Sequence, residues 1–190
     1  MKLIIGLGNI SNEYIGTRHN AGFNMLEHVA EEFGASWHDK PKFKAIVAEA
    51  RLGAQKIILA KPTTYYNLSG EAAQAIMSFY KLDVENVLVI HDELALPFGT
   101  IRARIGGSDA GNNGIKSLNA HIGELYARVR IGIANTQATK QKAEQFVLEP
   151  FSDDERQTLS TLATHVVRFV EDFVHEDKSF EHTSVSFVSK

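Results

Sequence analysis

The chain has 190 residues, 44% of them hydrophobic and 23% charged, and a formal net charge of −3. A chain of this length buries roughly 70% of its unfolded surface and needs no disulfide or metal to hold it. It has no cysteine, which excludes disulfides, thiol catalysis and Cys-type zinc sites, and no apolar run approaches the roughly 20 residues of a membrane span.

The N-terminal run Lys2 to Gly6 predicts a first strand, ended by Gly6-Leu7-Gly8-Asn9. That turn comes too soon after Met1 for a secretory signal, so the cytoplasm is the default compartment. A polar loop runs to about Asn20. Phe23, Leu26, Val29, Ala30 and Phe33 then recur at helical spacing, with Gly34 as the stop. Phe43 to Leu52 and Lys56 to Ala60 predict two strands of a hairpin around Gly53-Ala54-Gln55. Ser69 to Lys81 predicts a helix. Val87 to Ile90 is a β-branched-rich run expected to be covered on both faces and to end at His91-Asp92-Glu93.

Thr100 to Ile105 alternates, placing Ile101, Ala103 and Ile105 on one face and Arg102 and Arg104 on the other. Gly106 to Gly114 is Gly-rich, and a short helix is expected to about His121, then a strand from Val129 to Ala134. Ser152 with Glu155 three residues on predicts a capping box opening the last helix, whose stripe is Leu159, Leu162, Val166, Phe169, Val170 and Phe173. An acidic, His-containing tail follows Glu176. This order predicts an α/β fold: one domain over residues 1–190, with a central twisted mixed β-sheet flanked by helices. Sites in such sheets gather at carboxyl ends of strands, where Asn9 and His91-Asp92 both lie.

Several motifs fail on inspection. Gly6-Leu7-Gly8 lacks the third glycine of a dinucleotide fingerprint, Ser11 standing there, and no phosphate-binding Gly-x-x-x-x-Gly-Lys loop exists. Gly106-Gly107-Ser108-Asp109-Ala110 misses the last glycine of a serine-nucleophile turn. His91-Asp92-Glu93 lacks partners at metal-ligand spacing. What remains are His19, Asp92 and the asparagines Asn9, Asn67, Asn112 and Asn113. A histidine in a loop is usually solvated. Held by a carboxylate anchored at the end of a strand, an imidazole instead becomes a general base for water, and amides suit gripping a peptide and a developing oxyanion. Charge adds a second theme. Residues 99–142 carry seven Lys+Arg against two Asp+Glu, while residues 143–190 carry four against ten. The basic segment is a candidate phosphate-contact surface, the alternative being a solvated face.

Gly6-Leu7-Gly8-Asn9, Tyr14, Thr17 through Gly22, Lys61-Pro62-Thr63-Thr64, Asn67-Leu68-Ser69-Gly70, His91 through Leu94 and Gly111 through Lys116 together resemble the bacterial-type peptidyl-tRNA hydrolases, in order along nearly the whole chain. The resemblance implies an enzyme hydrolysing the ester between a peptide's C-terminus and the 3′ ribose of tRNA. It implies no metal and no organic cofactor; a monomer with no membrane association is the accompanying expectation, which the sequence itself does not fix. It implies His19 as general base, Asp92 as the carboxylate holding it, and Asn9 as the residue telling N-blocked from free aminoacyl groups. Asn67 and Asn113 would bind the peptide and the 3′ end, Tyr14 and Tyr65 would line the substrate site, and Arg104 and Arg130 would face tRNA phosphates. Three departures from the family pattern stand out. Asn9-Ile10-Ser11 replaces Asn-Pro-Gly, Tyr65-Tyr66 replaces Phe-Met, and Asn112 replaces a histidine. Rival readings are a non-catalytic RNA-binding module and a general esterase.

Overall fold

Lys2–Gly6 (β1) and Val87–Pro97 (β5) become neighbouring central strands because both faces of the sheet are covered there, which lets Leu3 to Ile5 and Val87 to Ile90 be apolar without interruption. In the computed structural model, which describes residues 1–176, 180 and 183–187, eight strands form one mixed sheet in the order β2-β3-β4-β1-β5-β7-β6-β8. The remaining strands are β2 (Trp37–Lys40), β3 (Ala45–Leu52), β4 (Gln55–Pro62), β6 (Thr100–Ile105), β7 (Ala127–Ala134) and β8 (Ser184–Ser186). β4, β1, β5 and β7 run parallel, and the margins on both sides are antiparallel.

Among the described residues five α-helices accompany this sheet: α1 (Ala21–Glu32), α2 (Ser69–Tyr80), α3 (Asn113–Ile122), α4 (Ala143–Phe146) and α5 (Asp153–Val174). Alternation along the strands sorts the core into two layers. Ile4, Leu88 and Ile90 pack with α1 and α5, and Leu3, Ile5, Val87 and Val89 pack with α2 and α3. The α/β class, the mixed sheet and the flanking helices are as the sequence predicts. The hairpin turns through Gly53-Ala54, with Leu52 paired to Gln55 and Gly53 at φ 57°. The Ser152–Glu155 capping box opens α5.

Three features differ from expectation. β5 continues seven residues past Ile90, because His91 to Glu93 still pair with β7 after β1 has ended. His91 and Asp92 therefore lie inside a strand. β2, α4 and β8 are absent from the sequence reading, being short and weakly apolar. Ile105 is 46% exposed where an apolar-face residue was expected. It ends its strand, and the chain turns away at Gly106 with φ 63°. Part of the acidic tail, including His182, lies outside the described residues. Among those residues no helix is long and apolar enough to cross a membrane.

Candidate active site

The loop carrying His19 reaches β5 because α1 sits almost on the strands. A Cβ on Gly22 would lie 2.3 Å from the carbonyl oxygen of Ile90 and 2.5 Å from the nitrogen of Leu7. Only glycine permits that approach. The loop is also tied from the other side. The backbone nitrogen of His19 donates to the Val147 carbonyl (2.8 Å), and that of Arg18 to the Glu149 carbonyl (3.0 Å). The Arg18 guanidinium makes a bidentate pair with Glu155 (3.0 and 2.8 Å) and lies over the rings of Phe146 and Phe151. Glu155 is also the capping-box carboxylate, so the start of α5 and the His19 loop share one anchor.

His19 Nδ1 lies 2.9 Å from Asp92 Oδ2, the imidazole 17% exposed and the carboxylate 4%. A carboxylate partner fixes Nδ1 as the protonated nitrogen and leaves Nε2 as the base. Burial works against the charge on Asp92. The His19 imidazole and the Tyr66 hydroxyl outweigh it and hold the carboxyl below its ordinary pKa. Tyr66 Oη donates to Asp92 Oδ1 (2.6 Å), and Asn112 Nδ2 donates to Tyr66 Oη (3.0 Å) and approaches Asp92 Oδ1 (3.3 Å). The Tyr66 ring stacks beneath His19, with centroids 3.6 Å apart and planes 18° apart.

Behind this couple sits a second histidine. His91 is fully buried. Its Nδ1 donates to the Asp92 carbonyl (2.6 Å), and its Nε2 accepts from Arg128 Nε (3.1 Å). Burial and the Arg128 charge lower its pKa to about 3, so it stays neutral.

A cleft of about 360 Å³ opens over the pair, lined by His19, Asp92, Asn112, Asn113, Val147 and Leu148 among others. Among the described residues no group of three or more His, Asp or Glu side chains is arranged to hold a metal ion. Asn113 is exposed at the first turn of α3. Asn9 is joined to the site through its Oδ1, which accepts from the Tyr66 backbone nitrogen (3.0 Å). Its backbone is held by Asn20 in both directions (2.8 and 2.9 Å). Asn67 is exposed in the turn after Tyr66. Tyr14 and Tyr65 do not line the cleft, and Tyr65 is 77% exposed. Of the tyrosine doublet it is Tyr66 that turns inward.

On the basic segment, Arg102 is exposed and pairs across strands with Arg130, while Arg104 pairs with Arg128. The Arg104 guanidinium packs against Gly107, where an added Cβ would lie 2.1 Å away. Arg130 stands 3.9 Å from Glu93 Oε2, and its Nε is buried without a hydrogen bond. Burial and the neighbouring Arg104 and Arg102 lower its pKa, opposed by Glu93. Sequence reading missed Tyr66 and Arg128 as structural members of the site, and it named Asn112 among the candidate asparagines without its contacts to Tyr66 and Asp92. The alternating pattern of β7 does not distinguish the buried Arg128 from the half-buried Arg130.

The family model described as peptidyl-tRNA hydrolase matches residues 3–189. The chain is 43% identical over 171 residues to the peptidyl-tRNA hydrolase of Aliarcobacter butzleri, covering 90% of this chain and 91% of that one. It is 40% identical over 178 residues to that of Ligilactobacillus salivarius, covering 93% and 95%. The crystal structure of peptidyl-tRNA hydrolase from Acinetobacter baumannii superposes with a TM-score of 0.89 at 32% identity, covering 96% of this chain and 93% of that one.

Proposed function

Because the chain belongs to the peptidyl-tRNA hydrolase family, an enzyme family that cleaves the ester joining a peptide to tRNA, we propose that it does so by direct attack of water with His19 as the general base. The observation that carries this reading is the 2.9 Å contact between His19 Nδ1 and the buried Asp92 carboxylate beside an open cleft. Water adds to the ester carbonyl carbon as His19 Nε2 takes its proton. The tetrahedral intermediate collapses, the bond to the ribose oxygen breaks, and that oxygen recovers the proton from the imidazolium. The products are a free peptide and a tRNA with its 3′ end restored.

Asp92 acts in this reading by fixing the tautomer and balancing the imidazolium charge. Asn9 offers Nδ2, its Oδ1 being occupied by Tyr66, and Asn113 stands at the rim of the cleft. Together with Asn67 they bind the peptide main chain and the 3′ end. The exposed ring of Tyr65, with Tyr14, serves the same end of the tRNA by stacking, a contact worth roughly 1–3 kcal/mol per base in other systems. Arg104 and Arg130 meet phosphates, which carry no base information. The reading is completed by one hydrolase domain over 1–190, a span the family model matches from residue 3 to 189, acting as a monomer in the cytoplasm.

The test is single-turnover hydrolysis of N-blocked aminoacyl-tRNA by His19→Ala. Turnover should all but vanish while tRNA binding persists, because the base acts on water and not on phosphate. Near-normal turnover would overturn the mechanism. Running a small ester alongside separates this enzyme from a general esterase, for which the basic segment is superfluous.

A further inference from the structure

We propose that Tyr66 and Asn112 are a matched pair of positioning residues that set the charge on Asp92 and hold the His19 ring, a role that rests on the general-base reading above. Asp92 has two oxygens and both are engaged. Oδ2 faces His19 (2.9 Å), and Oδ1 receives the Tyr66 hydroxyl (2.6 Å) with Asn112 Nδ2 nearby (3.3 Å). Asn112 Nδ2 also donates to the phenol oxygen (3.0 Å), so the phenol donates more strongly onward. Burial, then the Asp92 charge, pushes the Tyr66 pKa well above its ordinary value, so the hydroxyl remains a donor at working pH.

Both residues are held in place for this. The Tyr66 backbone nitrogen is bonded by Asn9 Oδ1 and its carbonyl by Ser69 Oγ. The ring fits because residue 114 is glycine, where a Cβ would stand 2.5 Å from it. Asn112 Oδ1 caps α3 by accepting from the nitrogens of Gly114 and Ile115 (both 3.1 Å), which aims Nδ2 back at the phenol. The two residues sit at two of the chain's departures from the family pattern, Met and His, and they touch each other. A thioether donates nothing to a carboxylate. Here the hydroxyl supplies the donor to the carboxylate and the amide supports the hydroxyl.

The consequence concerns proton affinity. A phenol donating to Asp92 withdraws charge from the carboxylate and weakens its hold on the imidazolium. Stacking of the ring face on His19 does the opposite, favouring the cation. Tyr66→Phe separates the two, because it keeps the ring and removes the donor. The other titratable groups near the couple are His91 and Glu93 on β5, Arg128 and Arg130 on β7, Arg18 beside His19, and Glu144 across the cleft. None of them is altered by that change.

The experiment is the pH profile of kcat and KM for N-blocked aminoacyl-tRNA, with melting temperature, for the parent enzyme, Tyr66→Phe, Asn112→Asp, and the cycle Tyr66→Met, Asn112→His and the double variant. Tyr66→Phe should lower kcat about tenfold, leave KM within about twofold, and move the acid limb of kcat/KM to higher pH. Asn112→Asp keeps an oxygen to cap α3 but loses the donor and adds a like charge, so its limb should move further up. The double variant should lose less than the product of the two single losses, because an imidazole at 112 can donate to Asp92 once the phenol is gone. A Tyr66→Phe limb at the parent pH, or single losses that simply multiply in the double variant, would overturn the pairing. His19→Ala, assayed in the same series, reports separately on the general-base reading, so failure of one is not mistaken for failure of the other.

Discussion

Arg128 and His91 form a buried pair in which the guanidinium Nε donates to a neutral imidazole at 3.1 Å. The same guanidinium donates through Nη1 to the carbonyls of Gly107 and Ser108 (3.2 and 2.9 Å), and His91 passes the contact to the Asp92 carbonyl (2.6 Å). The Gly-rich loop before α3 is thereby tied to the strand segment that bears the Asp92 carboxylate.

This pair makes stability depend on pH. The folded chain keeps His91 neutral down to about pH 3, whereas the unfolded chain binds a proton near the ordinary value of 6.5. The unfolded state therefore holds more protons between those limits, and stability falls as pH drops from about 6.5 toward 3. In the acid part of that window the slope should approach about 1.4 kcal/mol per pH unit from this group alone. Denaturant melts between pH 7 and 5 measure it. His91→Gln, which retains an acceptor for Arg128, should flatten the slope, and an unchanged slope would assign it to other groups.

Asp92→Asn should keep the packing and the Tyr66 contact but present an amide to His19 Nδ1. With its oxygen held by Tyr66, the amide turns its NH2 toward Nδ1 and favours the wrong tautomer. The corresponding swap in serine proteases costs about 10⁴ in rate; here a loss well above tenfold in single-turnover rate is expected. Tyr66→Phe leaves the carboxylate in place and should cost less than Asp92→Asn.

Asn9→Asp keeps the acceptor that receives the Tyr66 nitrogen, removes the Nδ2 donor and adds a negative charge. It should narrow the discrimination between N-blocked and free aminoacyl-tRNA. Asn113→Ala leaves the α3 cap intact, because Asn112 makes it, and should weaken transition-state stabilisation by about 2–3 kcal/mol. Unchanged selectivity in Asn9→Asp would reduce Asn9 to a turn residue.

The two arginines should behave differently. Arg104→Gln should lower the slope of log K against log salt by about one unit and slow full-length substrate while sparing a minimal one that carries only the 3′-terminal nucleotide. Arg130→Gln should change the slope less, because Glu93 already offsets its charge. It should also lower the melting temperature, since it leaves Glu93 buried without its cation. Equal effects of both changes on full-length and minimal substrates would assign both side chains to folding.

Local pattern was enough to read most elements, because strand and helix periodicities and the caps are properties of neighbouring residues. Val87 to Ile90 reads as a strand from its own composition, and Ser152–Glu155 as a helix start. The acid–base candidates were legible for a similar reason: few ionisable residues directly follow an apolar run as Asp92 does, and His19 stands out in a polar loop. The long-range choices were not legible. Nothing in Tyr65-Tyr66 says which ring turns inward. That is decided by Asn9, 57 positions away along the chain, holding the Tyr66 nitrogen, and by the space above Gly114. Nothing in Arg128-Val129-Arg130 says that one guanidinium is buried on a neutral histidine while the other faces a carboxylate. Strand register against β5 and β6 decides that. Side chains far apart in sequence acquire their partners only when the sheet and the helices upon it have closed, and hydrogen bonds among buried polar groups then leave them few alternatives.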